Sequence, residues 1–298
     1  MNSDAIKMTP GEKVFHYTIV LLLIVSCIVI LYPLRYVLSV SVSNPYAVMA
    51  NEVKLLPKGF NVEGYRRVFK NNDIWTSYGN TIAYTVVGTF FNVLLTAMAA
   101  FPLSRPDFYG RKFWMLFFTF TMFFGGGLIP TYLLIQKLKL VDTFWVMIVI
   151  GLISTYNMIV MRTFFKSNIP MSLQEAALID GANDLKIFWT IVLPLSKSIV
   201  AVMALFYGVA HWNSFFTALI YLNSRSRYPL QLILREILLQ NQLTADMAEG
   251  LSSAAEHEYI GLSIRYACII VATVPILLVY PLIQKHFVKG VLVGSIKG

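Results

Sequence analysis

The sequence predicts an all-α, polytopic membrane protein with six transmembrane helices, and three observations support this. The chain has 298 residues, 57% of them hydrophobic and 13% charged, and its mean hydropathy is +0.66, which is outside the range of ordinary soluble domains. Six apolar segments reach the roughly 20 residues that a helix needs to cross a bilayer. None alternates apolar and polar residues as membrane β-strands do. The predicted spans are 14–42, 78–103, 113–136, 143–165, 198–222 and 265–289.

These spans divide the chain into four parts. Residues 1–13 precede the first span, and residues 14–77 contain that span and an extracytoplasmic segment with a short amphipathic helix at 62–69. Residues 78–289 form the core, and 290–298 are a short tail. Lys7 and Lys13 favour a cytoplasmic N-terminus, as positive charges do when they flank a first span. With six spans, both termini are then cytoplasmic.

Glycines and prolines predict interruptions within two of the spans. Gly125, Gly126 and Gly127, followed by Pro130, predict a break in the third span, whereas Pro275 and Pro281 are expected to interrupt the last one. Between the last two spans lies the longest loop, 223–264, in which residues 230–242 carry apolar side chains at helical spacing. This helix is expected along the outer surface.

The chemistry of the chain excludes several classes of function. No predicted span contains an aspartate or glutamate, so the acidic machinery of ion-coupled transport is missing. The chain has no phosphate-binding loop, no metal-ligand spacing among its histidines and no hydrolase motif. The net charge of +9 is scattered over loops and helix ends, which suits membrane lipid rather than nucleic acid.

Uncharged polar and aromatic side chains inside the spans suit a sugar pathway. Amides and hydroxyls can bind sugar hydroxyl groups, and aromatic rings can stack on their apolar faces. The alternative is that these groups form hydrogen bonds between helices, and the sequence leaves both open. The candidates are Asn92, Tyr156, Asn157, Tyr207, His211, Trp212 and Asn213.

Residues 170–194 interrupt the apolar second half of the chain. Ser172 and Glu175 have the S-x-x-E spacing of a capping box, which predicts a helix beginning at Ser172. Gly181 stands where such a helix needs a left-handed residue to end it. Asn183 or Asp184 can cap a second helix. The segment therefore predicts a short helix, a glycine turn and another helix.

The same segment resembles the cytoplasmic EAA loop of binding-protein-dependent ABC importer permeases. Glu175-Ala176-Ala177 and Gly181 have the spacing E-A-A-x-x-x-G, and a further nine residues lead to I-x-L-P at Ile191 and Leu193-Pro194. The run from Asp180 to Ala182 is similar to the carbohydrate branch, in particular the maltose-type second permease and its relatives for oligosaccharides and uronic-acid sugars. Further similarities lie at 80–81, 127–132, 161–165, 212–213 and 289–298.

The resemblance implies the type-1 transmembrane fold of ABC importers in a bacterial inner membrane, with the EAA loop and both termini cytoplasmic. It implies four kinds of partner: a second homologous permease, an ABC ATPase dimer, an extracytoplasmic solute-binding protein and a carbohydrate substrate. ATP and magnesium would bind the ATPase, and this chain would hold no cofactor and no catalytic residue. The expected ATPase-coupling residues are Ser172, Glu175, Ala176, Ala177, Asp180, Gly181, Ala182, Ile191, Leu193 and Pro194.

Three alternatives stand beside this interpretation. An ABC permease for peptides or amino acids would share the EAA loop. A secondary transporter would need acidic residues in the spans, and a membrane protein for assembly or signalling would leave the polar interruption at 170–194 without a purpose.

Overall fold

A computed structural model of the chain describes residues 9–247 and 261–279, together with residue 281. Within these residues the regular structure is helical, and the one β-type pairing is an isolated bridge between Ser43 and Phe60. The helices are α1 (Pro10–Ser41), α2 (Pro45–Met49), α3 (Glu63–Lys70), α4 (Asn72–Ser104), α5 (Arg111–Phe123), α6 (Leu128–Lys137), α7 (Val146–Val149), α8 (Thr155–Asn168), α9 (Met171–Ile179), α10 (Asp184–Ile187), α11 (Leu193–Leu195), α12 (Lys197–Trp212), α13 (Phe215–Tyr221), α14 (Leu230–Met247) and α15 (Gly261–Val279).

The all-α membrane fold is confirmed, and helices account for most of the described residues in each predicted span. Three helices, α1, α4 and α15, are each long and apolar enough to cross a membrane. Two bent pairs also pass this test when each pair is taken together: α5 with α6, and Asp184–Leu195 with α12. The described residues thus hold three to five candidate spans by length and composition.

The predicted break in the third span is confirmed. Helix α5 ends at Phe123, α6 begins at Leu128, and the two are bent by 112°. Gly127 adopts a φ of +82°, a conformation that costs glycine little and other residues more. Pro130 lies in the first turn of α6, where the missing N–H of proline is tolerated.

Two other spans were wrongly predicted as continuous. The fourth is divided between α7 and α8 around Gly151, whose φ is +76°. The fifth stops at Trp212, and α13 begins only at Phe215. In the last span, by contrast, the interruption predicted at Pro275 is absent, because α15 continues through this residue. The Nε1–H of Trp212 donates to the carbonyl of Ala272 at 3.0 Å in this part of the helix.

The chain divides into two compact units, the first of which comprises Met1–Lys70 and Leu238–Val271. The predicted amphipathic helix is α3, which buries Gly64 and Val68. Gly64 is needed there because a Cβ would lie 2.5 Å from the carbonyl oxygen of Ser263. Side chains of Val40, Val48 and Val53 form a small core.

The second unit comprises Asn71–Ile237 and Ala272–Gly298, and α4 is its central helix. Helix α4 packs against both α8 and α12. One apolar core joins these three helices to the segment after α9, through Ala97, Met158, Met203 and Phe188. A second core lies around Tyr84 of α4. Movement of the segment after α9 is thereby connected to α4 through packed side chains.

Candidate functional site

The segment 170–194, here called the coupling segment, contains the predicted helix, but its start is not the predicted capping box. Helix α9 begins at Met171, its N-cap is Pro170, and no side chain caps it. Ser172 and Glu175 both lie inside the helix. The N–H of Leu173 bonds to the carbonyl of Pro170 at 3.2 Å, so the chain is already helical where the box would form. The prediction of a cap formed by Ser172 and Glu175 was therefore wrong.

The end of α9 is the predicted glycine turn. Gly181 has a φ of +75°, in the left-handed region. The N–H of Gly181 donates to the carbonyl of Leu178 at 3.0 Å, and the N–H of Ala182 donates to that of Ala177 at 2.9 Å. These two bonds form a complete Schellman motif. The motif fixes the direction in which the chain leaves α9.

The two faces of α9 differ in their surroundings. Gln174 is 5% exposed, and Ala177 packs against the core shared with α4. Ser172, Glu175, Ala176 and Ile179 are exposed and, with helical spacing of three and four residues, lie on the opposite face. Ile179 is 87% exposed. We call these four side chains the outward face.

This division separates the two alanines of the E-A-A motif. Ala176 belongs to the outward face, whereas Ala177 faces the core of its own chain. Of the two alanines, Ala176 is thus the exposed one. Of the other expected coupling residues, Ala182, Ile191 and Leu193 pack against the same core, and Asp180, Gly181 and Pro194 are exposed.

Beyond the turn, the coupling segment continues as an unbroken helical stretch. Asn183 caps α10, its side-chain oxygen accepting from the N–H of Lys186 at 2.8 Å. Residues Phe188–Val192 then form a π-helix, in which the N–H of Leu193 bonds to the carbonyl of Phe188. Pro194 accounts for the wider turn, because its ring would clash with the carbonyl four residues earlier in an ordinary α-helix.

An arginine at the C-terminal end of α4 contacts the coupling segment. The guanidinium of Arg105 donates to Asp184, the first residue of α10, at 2.5 Å, and to Asp107 at 2.5 and 3.0 Å. Its side chain is 8% exposed. The hydrogen bonds from Arg105 hold the pKa of Asp107 below its ordinary value. Sequence analysis missed this contact, because 79 residues separate Arg105 from Asp184.

Two polar clusters lie between α4, α12 and the chain leading into α8. The Asn92 amide donates to the carbonyls of Gly151 and Leu152 at 3.1 and 2.7 Å. Its oxygen is 2.6 Å from Nε2 of His211, so His211 must donate from this nitrogen. Both side chains are buried, and the hydrogen-bonding groups of the Asn92 side chain are all occupied within the chain.

The second cluster is centred on Tyr207. Its hydroxyl is 2.7 Å from the hydroxyl of Thr96 and accepts from the backbone N–H of Ser154 at 3.0 Å. Tyr207 is 4% exposed. Asn92, His211 and Tyr207 thus form interhelical hydrogen bonds in this structure, which was the alternative to a sugar pathway.

The remaining pathway candidates differ in exposure. Trp212 and Asn157 are 8% and 7% exposed. Tyr156 is 58% exposed, and Asn213 is exposed while its amide donates to the carbonyl of Val209. Tyr156 and Asn213 are therefore the candidates whose side chains a substrate could reach without rearrangement.

Sequence analysis also missed a polar network around Asp142. Its carboxylate accepts from the backbone N–H groups of Asn223 and Ser224, the hydroxyl of Ser224 and the guanidinium of Arg227. Burial would raise the pKa of Asp142, but the hydrogen bonds from Ser224 and Asn223 and the charge of Arg227 lower it below its ordinary value. Arg225 pairs in the same way with Asp73 and Glu236. The turn that precedes α14 is thereby tied to three other segments.

The C-terminal tail, 290–298, lies outside the described residues. The same holds for the end of the last predicted span after residue 281, for residues 248–260 of the long loop and for residues 1–8.

Comparisons with known proteins agree with this architecture. The family described as binding-protein-dependent transport system inner membrane component matches residues 7–293. The polygalacturonan/rhamnogalacturonan transport system permease protein YtcP of Bacillus subtilis (strain 168) is 40% identical over 288 residues, covering 96% of this chain and 99% of YtcP. Protein LplC of the same organism is 40% identical over 266 residues, covering 89% of each.

A solved structure agrees as well. A chain of a bacterial ABC transporter involved in the import of the acidic polysaccharide alginate superposes with a TM-score of 0.80 at 34% identity, over 94% of this chain and 99% of that one. These matches agree with the broken spans and the segment after α9 described above. The chain belongs to the family of inner-membrane components of binding-protein-dependent transport systems, the permeases of ABC importers.

Proposed function

We propose that this chain is a permease subunit that imports acidic oligosaccharides, those containing uronic acids. Two similar proteins carry names that point to this class: YtcP is named for polygalacturonan and rhamnogalacturonan, and the solved relative is an importer of alginate. Both names refer to polymers that carry carboxylates. The proposal rests on this shared feature, the carboxylates of both polymers. The two relatives are 40% and 34% identical to this chain over nearly its whole length.

Energy enters this subunit at the outward face of α9. The described residues of this face present an exposed isoleucine, Ile179, beside the small side chain of Ala176. An apolar side chain that is 87% exposed at a helix end is suited to a pocket on another protein. The partner is an ATPase subunit, which holds ATP and magnesium, and the cytoplasm is the side on which α9 and both termini lie.

The coupling segment transmits movement because it is stiff. The Schellman turn at Gly181, the Asn183 cap and the π-helix give the stretch up to Leu195 a defined hydrogen-bonded course, and the chain then bends by 83° into α12. When the ATPase pair closes, α9 moves with it, and the helices packed on the coupling segment rock between inward- and outward-facing states. Sugar then passes from an extracytoplasmic binding protein into a path between this chain and a second permease.

The test of the proposed function is uptake by the assembled importer. The complex is isolated from its source cells through a tag on this chain, reconstituted in liposomes with its binding protein, and supplied with labelled oligogalacturonate, maltodextrin or a peptide. We expect ATP-dependent uptake of oligogalacturonate and little of the other two. Uptake of maltodextrin alone would show a neutral-sugar importer, and uptake of peptide alone would show a peptide importer; either would overturn the proposal.

A further inference from the structure

We propose that Arg105 is a positioning residue that joins the coupling segment to the C-terminal end of α4, so that movement of α9 reaches α4 through the Arg105–Asp184 ion pair. The inference rests on the proposed role of α9 in coupling. It assigns a function to a cluster of charged side chains that the sugar pathway and the outward face do not use.

The geometry of Arg105 is that of a bridge between two segments. Asp107, two residues along the same loop, binds Nε and Nη2, and Asp184, on the coupling segment, binds Nη1. All three donors thus point at carboxylates, with Asp107 accepting on both its oxygens. The Arg105 side chain is 8% exposed, whereas the side chains of Asp107 and Asp184 are 52% and 69% exposed. The buried partner of each pair is the arginine.

The surrounding contacts make the bridge stiff on the α4 side. The backbone carbonyl of Arg105 accepts from the Arg111 guanidinium at 3.1 Å, and the carbonyl of Leu103 accepts from Arg162 at 2.8 Å. The guanidinium of Arg105 also lies 5.8 Å from the ring centre of Phe101. Displacement of Asp184 therefore moves the end of α4 and does not merely reorient a loose side chain.

A second contact connects the same two elements. The rings of Phe101, on α4, and Phe188, at the start of the π-helix, have centroids 5.6 Å apart. Apolar packing holds the two elements together without fixing a direction, whereas a charge-assisted hydrogen bond is directional. The ion pair therefore adds a directional link to the packed core that already joins the coupling segment to α4. On the same helix, Asn92 and Thr96 form hydrogen bonds to the chain leading into α8 and to α12, and these bonds pass the displacement on.

Two substitutions that change the charge equally distinguish a role of Arg105 in coupling from a purely structural role in its own loop. Asp184→Asn removes the charge from the link between the segments, which reduces it to a hydrogen bond about half as strong, and leaves Arg105 neutralised by Asp107. Asp107→Asn removes the carboxylate within the loop and leaves the link intact. In the assembled importer we expect Asp184→Asn to lower substrate uptake per ATP hydrolysed by about fivefold or more, the lower end of typical coupling between sites. Asp107→Asn should stay near the wild type.

A second pair of variants decides the matter where Asp184→Asn does not assemble. Arg105→Lys supplies a single ammonium, which cannot hold two carboxylates as the guanidinium fork does, and we expect it to pair with nearby Asp107 and to lose coupling. Adding Asp107→Asn to Arg105→Lys returns the lysine to Asp184 and should restore uptake per ATP. Restoration by removing a carboxylate is not a result that a merely structural role would produce.

The outcomes are distinguishable from failure of the proposed function. If the wild-type complex hydrolyses ATP without binding-protein stimulation or uptake, the importer assignment itself is wrong. If the wild type is stimulated and Asp184→Asn keeps normal uptake per ATP, or if Asp107→Asn is impaired equally, Arg105 does not join the two elements and the inference is overturned.

Discussion

Gly88 is the position at which a single methyl group should most disturb the packing of α4. A Cβ on Gly88 would lie 2.5 Å from Cε1 of His211 and 2.8 Å from Cδ2, and it would also collide with Nε2. The imidazole cannot retreat easily, because Nε2 is bonded to the buried Asn92 amide at 2.6 Å. Gly88→Ala must therefore separate α4 from α12 or break the Asn92–His211 bond.

The expected loss of stability follows from two costs, the overpacking against His211 and the loss of its hydrogen bond to Asn92. Overpacking of a tight core destabilises by about 1–3 kcal/mol, and a buried polar group that loses its partner costs about 1–3 kcal/mol more. Alanine recovers about 1 kcal/mol of helix propensity relative to glycine. We expect a net loss of up to about 2 kcal/mol in the free energy of unfolding if only the packing changes, and of about 1–5 kcal/mol if the hydrogen bond also breaks.

The matched control is Gly79→Ala on the same helix. No atom lies within 4 Å of a Cβ on Gly79, so this variant should gain the helix propensity and lose nothing. The measurement is the midpoint of thermal unfolding of the purified importer in detergent. A lower midpoint for Gly88→Ala and an unchanged or raised one for Gly79→Ala is expected. Equal midpoints for both variants would refute the account of how α4 and α12 pack.

Three further predictions follow from other contacts. A Cβ on Gly181 would meet no atom within 4 Å, so the cost expected for Gly181→Leu is that of the left-handed backbone, about 1–2 kcal/mol; binding-protein-stimulated ATP hydrolysis should fall, and a normal rate would contradict the role of the turn. Tyr207→Phe removes the hydroxyl that pairs with the buried Thr96 hydroxyl and the partly buried N–H of Ser154, and it should lower the unfolding midpoint by the equivalent of about 1–3 kcal/mol; an unchanged midpoint would mean that those bonds contribute nothing. The stability that ionised Asp142 contributes should be present above its ordinary pKa of 3.8 and lost as the pH falls below it; hydrogen exchange of residues 222–230 should rise there in the wild type, and an equal rise in Asp142→Asn would exclude this carboxyl as the cause.

The coupling segment shows what could be predicted from the sequence and why. Gly181 and Asn183 act through their own backbone and their nearest neighbours, so their local pattern was sufficient to place a turn and a cap. The same reasoning failed at Ser172 and Glu175. An S-x-x-E pattern fits a helix that begins at serine, but here Pro170, with a φ of −59°, allows the helix to begin one residue earlier.

The interior of the molecule could be predicted only in outline. Apolar composition was enough to locate the spans, but the turn at Gly151 and the break after Trp212 depend on packing between helices that are distant in sequence. The same applies to the polar groups. Asn92 and His211 were recognised as unusual, yet their pairing joins residues 119 positions apart, and nothing local distinguishes a bond between helices from a contact with sugar.

The exposed end of α9 permits the most direct test of the central claim, that energy for sugar import enters through the outward face. Ile179 is 87% exposed, so Ile179→Asp should leave the unfolding midpoint of the isolated chain unchanged while placing a charge in the apolar contact with the ATPase. The measurement is ATP-driven uptake of labelled oligogalacturonate by reconstituted importer carrying Ile179 or Asp at this position. We predict a fall of about tenfold or more, which corresponds to about 1.4 kcal/mol of lost coupling. Uptake at the wild-type rate by the Ile179→Asp importer would contradict the account.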